Sequence, residues 1–212
     1  MPTHDLLSAA MRALPLVAIL RGLTPAEAPA IGEALDAAGF AMLEVPLNSP
    51  QPLDSIALLA ARHPAKLVGA GTVLTAGQVR EVHAAGGRLV VAPNFDAEVV
   101  REAVRLGMVC LPGILTPTEA FGALAAGANG LKLFPAEMGS PAVVKALLAV
   151  LPAGTPLLPV GGVSVANIAD WRAAGAAGCG IGSALYKPGK SAAAVAQDAR
   201  AFAAAWHGTQ AA

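Results

Sequence analysis

Short apolar runs closed by Gly, Pro or Asn recur along the whole chain: Leu16 to Leu20, Ala41 to Val45, Leu67 to Ala70, Leu89 to Ala92, Val109 to Leu111, Leu131 to Phe134, Leu157 to Val160 and Gly178 to Ile181. Successive runs start roughly 20 to 27 residues apart, the interval expected for strand, loop, helix and loop. Ala- and Leu-rich stretches with a helical period, such as Ala26 to Ala38 and Pro141 to Leu151, fill the gaps. No two runs are joined by a two-residue hairpin turn, so the strands are expected to be parallel, each linked to the next through a helix. Eight such units predict an α/β fold, a (β/α)8 TIM barrel preceded by a short N-terminal helix; open doubly wound sheets usually have fewer strands.

Helix boundaries agree with this register. Thr24-Pro25-Ala26-Glu27 and Thr116-Pro117-Thr118-Glu119 read as capping boxes, with Thr at the N-cap and Glu three residues on; Thr75-Ala76-Gly77-Gln78 repeats the pattern with Gln. These Thr and Glu side chains are therefore assigned to structure before chemistry. Gly39, Gly86, Gly107, Gly127 and Gly175 fall where helices should stop and suit left-handed C-cap positions.

Composition narrows the field. The 212 residues carry 14 basic and 14 acidic side chains and are 55% apolar, which excludes a disordered chain. Zero net charge gives no field to attract nucleic acid. The longest uncharged stretch, Ala146 to Ala169, is interrupted by Pro152, Pro156, Pro159 and Gly161-Gly162, so no membrane span is expected. The apolar run Leu14 to Leu20 is flanked by Arg12 and Arg21 and lacks a small-residue cleavage pattern, arguing against a signal peptide. Cys110 and Cys179 match no metal or redox spacing and read as buried thiols in a reducing cytoplasm. One domain is expected over residues 1–212, with the barrel over about 15–206 and a short tail from Gly208 to Ala212.

In a barrel of this kind the chemistry sits at the C-terminal strand ends. Of the five lysines, only Lys132 lies inside a strand, in Gly130-Leu131-Lys132-Leu133-Phe134-Pro135; Lys66, Lys145, Lys187 and Lys190 fall before strands, on a helix or after the last strand. Desolvation lowers the pKa of such an amine and makes it a nucleophile able to form an imine with a ketone. The alternative is a lysine paired with a buried carboxylate for structure. Glu44 is the one carboxylate at a strand end and the expected proton shuttle, or else the ion-pair partner of Lys132. Glu137, after the sixth run, is a weaker second candidate, expected to be solvated.

Arg21 ends the first strand, where a guanidinium suits a carboxylate or phosphate, and Thr72 closes the third with a hydroxyl for the same anion. Gly161 and Gly162 follow the seventh run, Gly182 and Ser183 the eighth; barrels often build a phosphate site from these two loops, although paired tight turns would look alike. His4, His63, His83 and His207 are scattered, so no metal is expected, and no dinucleotide fingerprint calls for a cofactor. The combination points to amine chemistry on a phosphorylated ketone. Two other classes fit the barrel less well: an isomerase or synthase using Glu44 without covalent chemistry, and a sugar-phosphate binding protein.

Taken together and in order, Pro15-Leu16-Val17-Ala18-Ile19-Leu20-Arg21-Gly22, Glu44-Val45-Pro46-Leu47-Asn48-Ser49-Pro50, Gly69-Ala70-Gly71-Thr72-Val73, Leu131-Lys132-Leu133-Phe134-Pro135, Gly161-Gly162-Val163 and Gly180-Ile181-Gly182-Ser183 resemble the 2-keto-3-deoxy-6-phosphogluconate and 6-phosphogalactonate aldolases. The resemblance implies a class I, Schiff-base aldolase on a (β/α)8 barrel, usually a homotrimer. Lys132 would form the imine and Glu44 act as acid/base; Arg21 and Thr72 would hold the substrate carboxylate, and Gly161, Gly162, Gly182 and Ser183 the phosphate. The phosphogluconate branch typically has Thr-Leu-Arg where this chain has Pro46-Leu47-Asn48. Asn48 with Arg21 is similar to the phosphogalactonate branch, whose substrate would be cleaved to pyruvate and D-glyceraldehyde 3-phosphate. The phosphogluconate activity, or both together, is the alternative.

Overall fold

The structure, a computed structural model, describes residues 3–208, so the tail beyond Gly208 lies outside the described residues. Helix α1 (Thr3–Ala13) precedes β1 (Leu16–Ile19), and strands and helices then alternate: α2 (Ala28–Ala37), β2 (Met42–Pro46), α3 (Pro52–Arg62), β3 (Leu67–Gly71), α4 (Ala76–Ala84), β4 (Leu89–Val91), α5 (Ala97–Arg105) and β5 (Val109–Leu111). The remainder comprises β6 (Gly113–Ile114), α6 (Pro117–Ala125), β7 (Leu131–Leu133), α7 (Pro141–Leu148), β8 (Leu157–Pro159), α8 (Ile168–Ala173), β9 (Cys179–Ile181) and α9 (Ala192–His207). Every strand pairing is parallel, as the absence of hairpin turns required.

The strands form two ladders, β5-β4-β3-β2-β1-β9 and β6-β7-β8. The fifth apolar run thus continues as a second short strand that the sequence reading lacked. Pro112 separates the two pieces because it has no N–H to give a ladder, yet its carbonyl still accepts from Lys132 N at 2.9 Å. On the other side Val160 bridges Gly180, and Ala177 N donates to the Leu157 carbonyl at 3.0 Å. Eight strand positions therefore close into a (β/α)8 barrel.

The helix boundaries match with two adjustments. Thr116 carries a complete capping box, accepting from Glu119 N while Glu119 accepts from Thr116 N. Thr75 accepts from Gln78 N, but the Gln78 amide oxygen takes Leu74 N instead of Thr75 N. At Thr24 the expected cap is absent: α2 starts at Ala28 with Glu27 as its N-cap, and the Thr24 hydroxyl donates to Glu27 Oε2 at 2.6 Å. Three turn residues after Thr24 account for the later start. Helix α7 also stops at Leu148, short of Leu151. The five helix-ending glycines all take positive φ, and Gly39 shows why: Phe40 N reaches back to Leu35 O and Gly39 N to Asp36 O, a Schellman closure. Thr116→Ala should lower unfolding free energy by about 1 kcal/mol, read by urea denaturation, because Glu119 N loses its hydroxyl partner.

Strand alternation sorts the core into two shells. Inside the barrel lie Val17, Met42, Leu67, Leu89, Val91, Val109, Leu111 and Leu158, and Leu7 and Ala10 of α1 pack against them. Outside, Leu16, Ala18, Leu43, Val68, Val90 and Cys110 join helix residues such as Ile31, Leu35, Ile56, Leu59 and Phe202. Burial pushes the thiols of Cys110 and Cys179 up to about 12, leaving them inert. Among the described residues no helix is long and apolar enough to cross a membrane.

Candidate active site

The same alternation that sends Met42 inward sends Glu44 inward two residues later, and it sends Lys132 inward between outward-facing Leu131 and Leu133. Both side chains line one interior cavity with Ile19, Leu111, Leu158, Val160 and Gly180. Glu44 is 2% exposed and Lys132 7%. The expected alternative, a structural ion pair, does not form: among the described residues no carboxylate lies within 4.0 Å of Lys132 Nζ. Instead the amine sits 4.5 Å from the centroid of the Phe134 ring, and Glu44 Oε2 is buried without a hydrogen-bond partner. Two polar groups facing one cavity, neither satisfied by the other, leave their hydrogen bonds free for a third party.

The electrostatics follow from burial. Desolvation pushes the Glu44 carboxyl above the usual carboxylate range, against the pull of Lys132 and then of Arg21. Desolvation likewise pulls the Lys132 amine below its usual value; Glu44 opposes this and the Arg21 charge adds to it. Burial thus works against the charged form of both groups, making the amine easier to deprotonate and the carboxyl easier to protonate.

Gly71 makes room for this arrangement. A Cβ there would stand 2.6 Å from Glu44 Oε1 and 3.0 Å from Oε2. Sequence reasoning quoted Gly71 in a motif without seeing this role; a glycine ending a buried strand was the available signal. Thr72, next in the chain, is half-buried with φ +58, a conformation that costs a β-branched residue energy and concentrates at functional sites.

Arg21 lies exposed just past β1, where its Nη1 donates to Asn48 Oδ1 at 2.6 Å. Gly22 N donates to the buried Ser49 Oγ at 2.9 Å, so the β1 loop is tied to the β2 loop at two successive residues. Ser49 was missed in the sequence because its partner is 27 residues away. Gly161 and Gly162 follow β8 with φ +110 and +64, and Gly182 and Ser183 follow the neighbouring β9. Lys190 Nζ donates to Leu185 O at 2.7 Å and pairs with Asp198, bracing the turn that carries Ser183.

Glu137 is exposed to solvent, and it also touches the glycine loop after β8. It occupies a single 3-10 turn after β7, Ala136–Met138, and its side chain lies on the diglycine. A Cβ on Gly161 would be 2.7 Å from Glu137 Cδ, and one on Gly162 2.8 Å from Cγ. The remaining lysines stay away from the cavity: Lys66 pairs with Asp36 at 2.5 Å, and Lys145 rides on α7. Among the described residues no group of three or more His, Cys, Asp or Glu is arranged to hold a metal ion.

Comparison with known proteins gives the chain its relatives. A protein of Rhizobium meliloti (strain 1021) named "Probable 2-dehydro-3-deoxy-6-phosphogalactonate aldolase" is 51% identical over 193 residues, 91% of each chain. The 2-dehydro-3-deoxy-6-phosphogalactonate aldolase of Escherichia coli (strain K12) is 50% identical over 195 residues, 91% of this chain and 95% of its own. A solved structure titled "Native KDPGal structure" superposes with a TM-score of 0.90 at 49% identity, covering 92% of this chain and 95% of that one. The family model described as KDPG and KHG aldolase matches residues 7–198, which include both buried ionisable groups and both glycine loops. With a parallel barrel and an interior amine facing an interior carboxyl, the chain belongs to the KDPG and KHG aldolase family.

Proposed function

We propose that this aldolase cleaves 2-dehydro-3-deoxy-6-phosphogalactonate to pyruvate and D-glyceraldehyde 3-phosphate through an imine on Lys132. The observation that carries the reading is the buried, unpaired Lys132 amine sharing a cavity with the buried, unpaired Glu44 carboxyl. Arg21, steadied by Asn48, and Thr72 hold the carboxylate end; Gly161, Gly162, Gly182 and Ser183 hold the phosphate. Fixing both ends aligns the C3–C4 bond with the amine, which is where binding becomes rate.

Neutral Lys132 adds to the C2 carbonyl, and protonated Glu44 gives its proton to the departing hydroxyl, leaving water and an iminium. Glu44, now a carboxylate, takes the proton of the C4 hydroxyl, directly or through a water. The C3–C4 bond breaks, its electron pair moves into the iminium, and the aldehyde leaves. Glu44 returns its proton to C3 of the enamine, and water hydrolyses the resulting imine to pyruvate and free Lys132. A carboxyl with a raised pKa serves both halves of this alternation.

Borohydride added with pyruvate should attach one reduced three-carbon unit to Lys132, located by peptide mass spectrometry; an unmodified lysine would overturn the imine. Asn48 standing where the phosphogluconate pattern has arginine supports the galactonate epimer. Side-by-side kinetics should therefore give the higher kcat/KM with 2-dehydro-3-deoxy-6-phosphogalactonate than with its gluconate epimer. We further infer that the catalytic domain works as a homotrimer, supported by the exposed Leu115, Phe121 and Met138, and that it resides in the cytoplasm, where free Cys110 and Cys179 stay reduced. Sedimentation equilibrium reads the trimer directly.

A further inference from the structure

Glu137 is a titratable group that the reaction above leaves unused, although it sits five residues past the imine-forming lysine. Its carboxylate lies across Gly161-Gly162, one of the two glycine loops proposed to receive the substrate phosphate. The two glycines leave a cradle that Glu137 fills: Cβ atoms at Gly161 and Gly162 would fall 2.7 Å from its Cδ and 2.8 Å from its Cγ. Two like charges cannot share that cradle without strong mutual repulsion. Among the described residues Glu137 has neither a cation within ion-pair distance nor a hydrogen-bond donor, so nothing but contact with the loop keeps it there.

We propose that Glu137 is a displaceable occupant of the phosphate cradle: incoming phosphate pushes its carboxylate aside, and its return helps expel the phosphorylated fragment after cleavage. The inference rests on the assignment of Gly161, Gly162, Gly182 and Ser183 to the phosphate. Displacement imposes the same penalty on every phosphate that enters. An intact substrate, held also by the imine and by Arg21 and Thr72, retains useful affinity despite it. Glyceraldehyde 3-phosphate and free inorganic phosphate are held at one end only, so the penalty falls on their whole affinity and shortens their stay. The acidic side chain thus leaves the ratio of affinities unchanged and keeps phosphates anchored at one end from lingering in the site.

The test is competitive inhibition by inorganic phosphate, measured on wild type, Glu137→Gln, Glu137→Ala and Ser183→Ala with the phosphorylated substrate. Removing an exposed charge beside a bound anion is expected to change affinity about fivefold. Both Glu137 variants should lower the inhibition constant for phosphate by that factor and lower KM for the phosphorylated substrate alongside it. KM for the unphosphorylated keto-deoxy acid should stay where it was, a contrast that a general loosening of the fold would not give. An inhibition constant unchanged or raised in both Glu137 variants overturns the proposal. The underlying assignment fails separately: if Ser183→Ala inhibits as wild type does, or phosphate does not compete in any form of the protein, the phosphate lies elsewhere.

Discussion

Lys132→Met is expected to fold and yet to lose turnover by at least about four orders of magnitude, as removal of a covalent nucleophile does. Folding should survive because methionine fills similar volume and removes a desolvated amine from the cavity. Thermal unfolding should therefore show a midpoint at or above that of wild type while the aldol cleavage assay falls to background. Residual turnover within tenfold of wild type would mean that bond breaking does not pass through this amine. Lys132→Arg is the more demanding control. It keeps a positive charge near Phe134 and Glu44 but cannot form the imine, so it should be as inactive as the methionine variant.

Glu44→Gln should lose turnover by roughly two to four orders of magnitude, the usual contribution of a positioned acid/base, while still binding pyruvate. The pH dependence gives a sharper test. In wild type the Glu44 carboxylate partly offsets the desolvation that depresses Lys132. Removing the carboxylate removes that support, so the amine loses its proton at lower pH. Imine formation requires the neutral amine and rises as pH passes through the lysine pKa. In Glu44→Gln, the ascending limb of pyruvate-dependent borohydride trapping should therefore move to lower pH, even though its plateau is smaller. A limb that stays put would mean that the two groups do not sense each other across the cavity. The variant should also gain stability at neutral pH. A carboxyl with a folded pKa raised above its unfolded value loses folding free energy as pH climbs between the two, and glutamine does not titrate.

Much of this architecture is written in local pattern. All eight apolar runs became strands because a buried parallel strand needs little more than a few apolar residues between turn formers. Lys132 and Glu44 stood out for the complementary reason: an ionisable side chain in such a run violates the pattern, and its cost marks it. What escaped the sequence depends on residues that are distant in the chain. The split at Pro112 follows from which neighbours its carbonyl and missing N–H face. The fit of Gly71 against Glu44, the Ser49 hydrogen bond to Gly22 and the seat of Glu137 on Gly161 are contacts across 24 to 27 residues, with no trace in spacing. Thr24 shows the limit of a motif: its four residues fit a capping box, but the chain turned once more before entering the helix.

The joint at Pro112 reaches beyond topology. Glu44, Arg21 and Thr72 are carried by, or directly follow, strands of the six-stranded ladder, whereas Lys132 belongs to the three-stranded one. Nucleophile and proton carrier thus stand on different ladders, joined through Pro112 on one side and the Val160 bridge on the other. Their separation is therefore set by the side chains packed between the two ladders and by no hydrogen bond of either ladder. Leu111 and Leu158, neither of which carries out any chemistry, act as spacers between the two reacting groups, so a change of their volume would reset the catalyst's working distance.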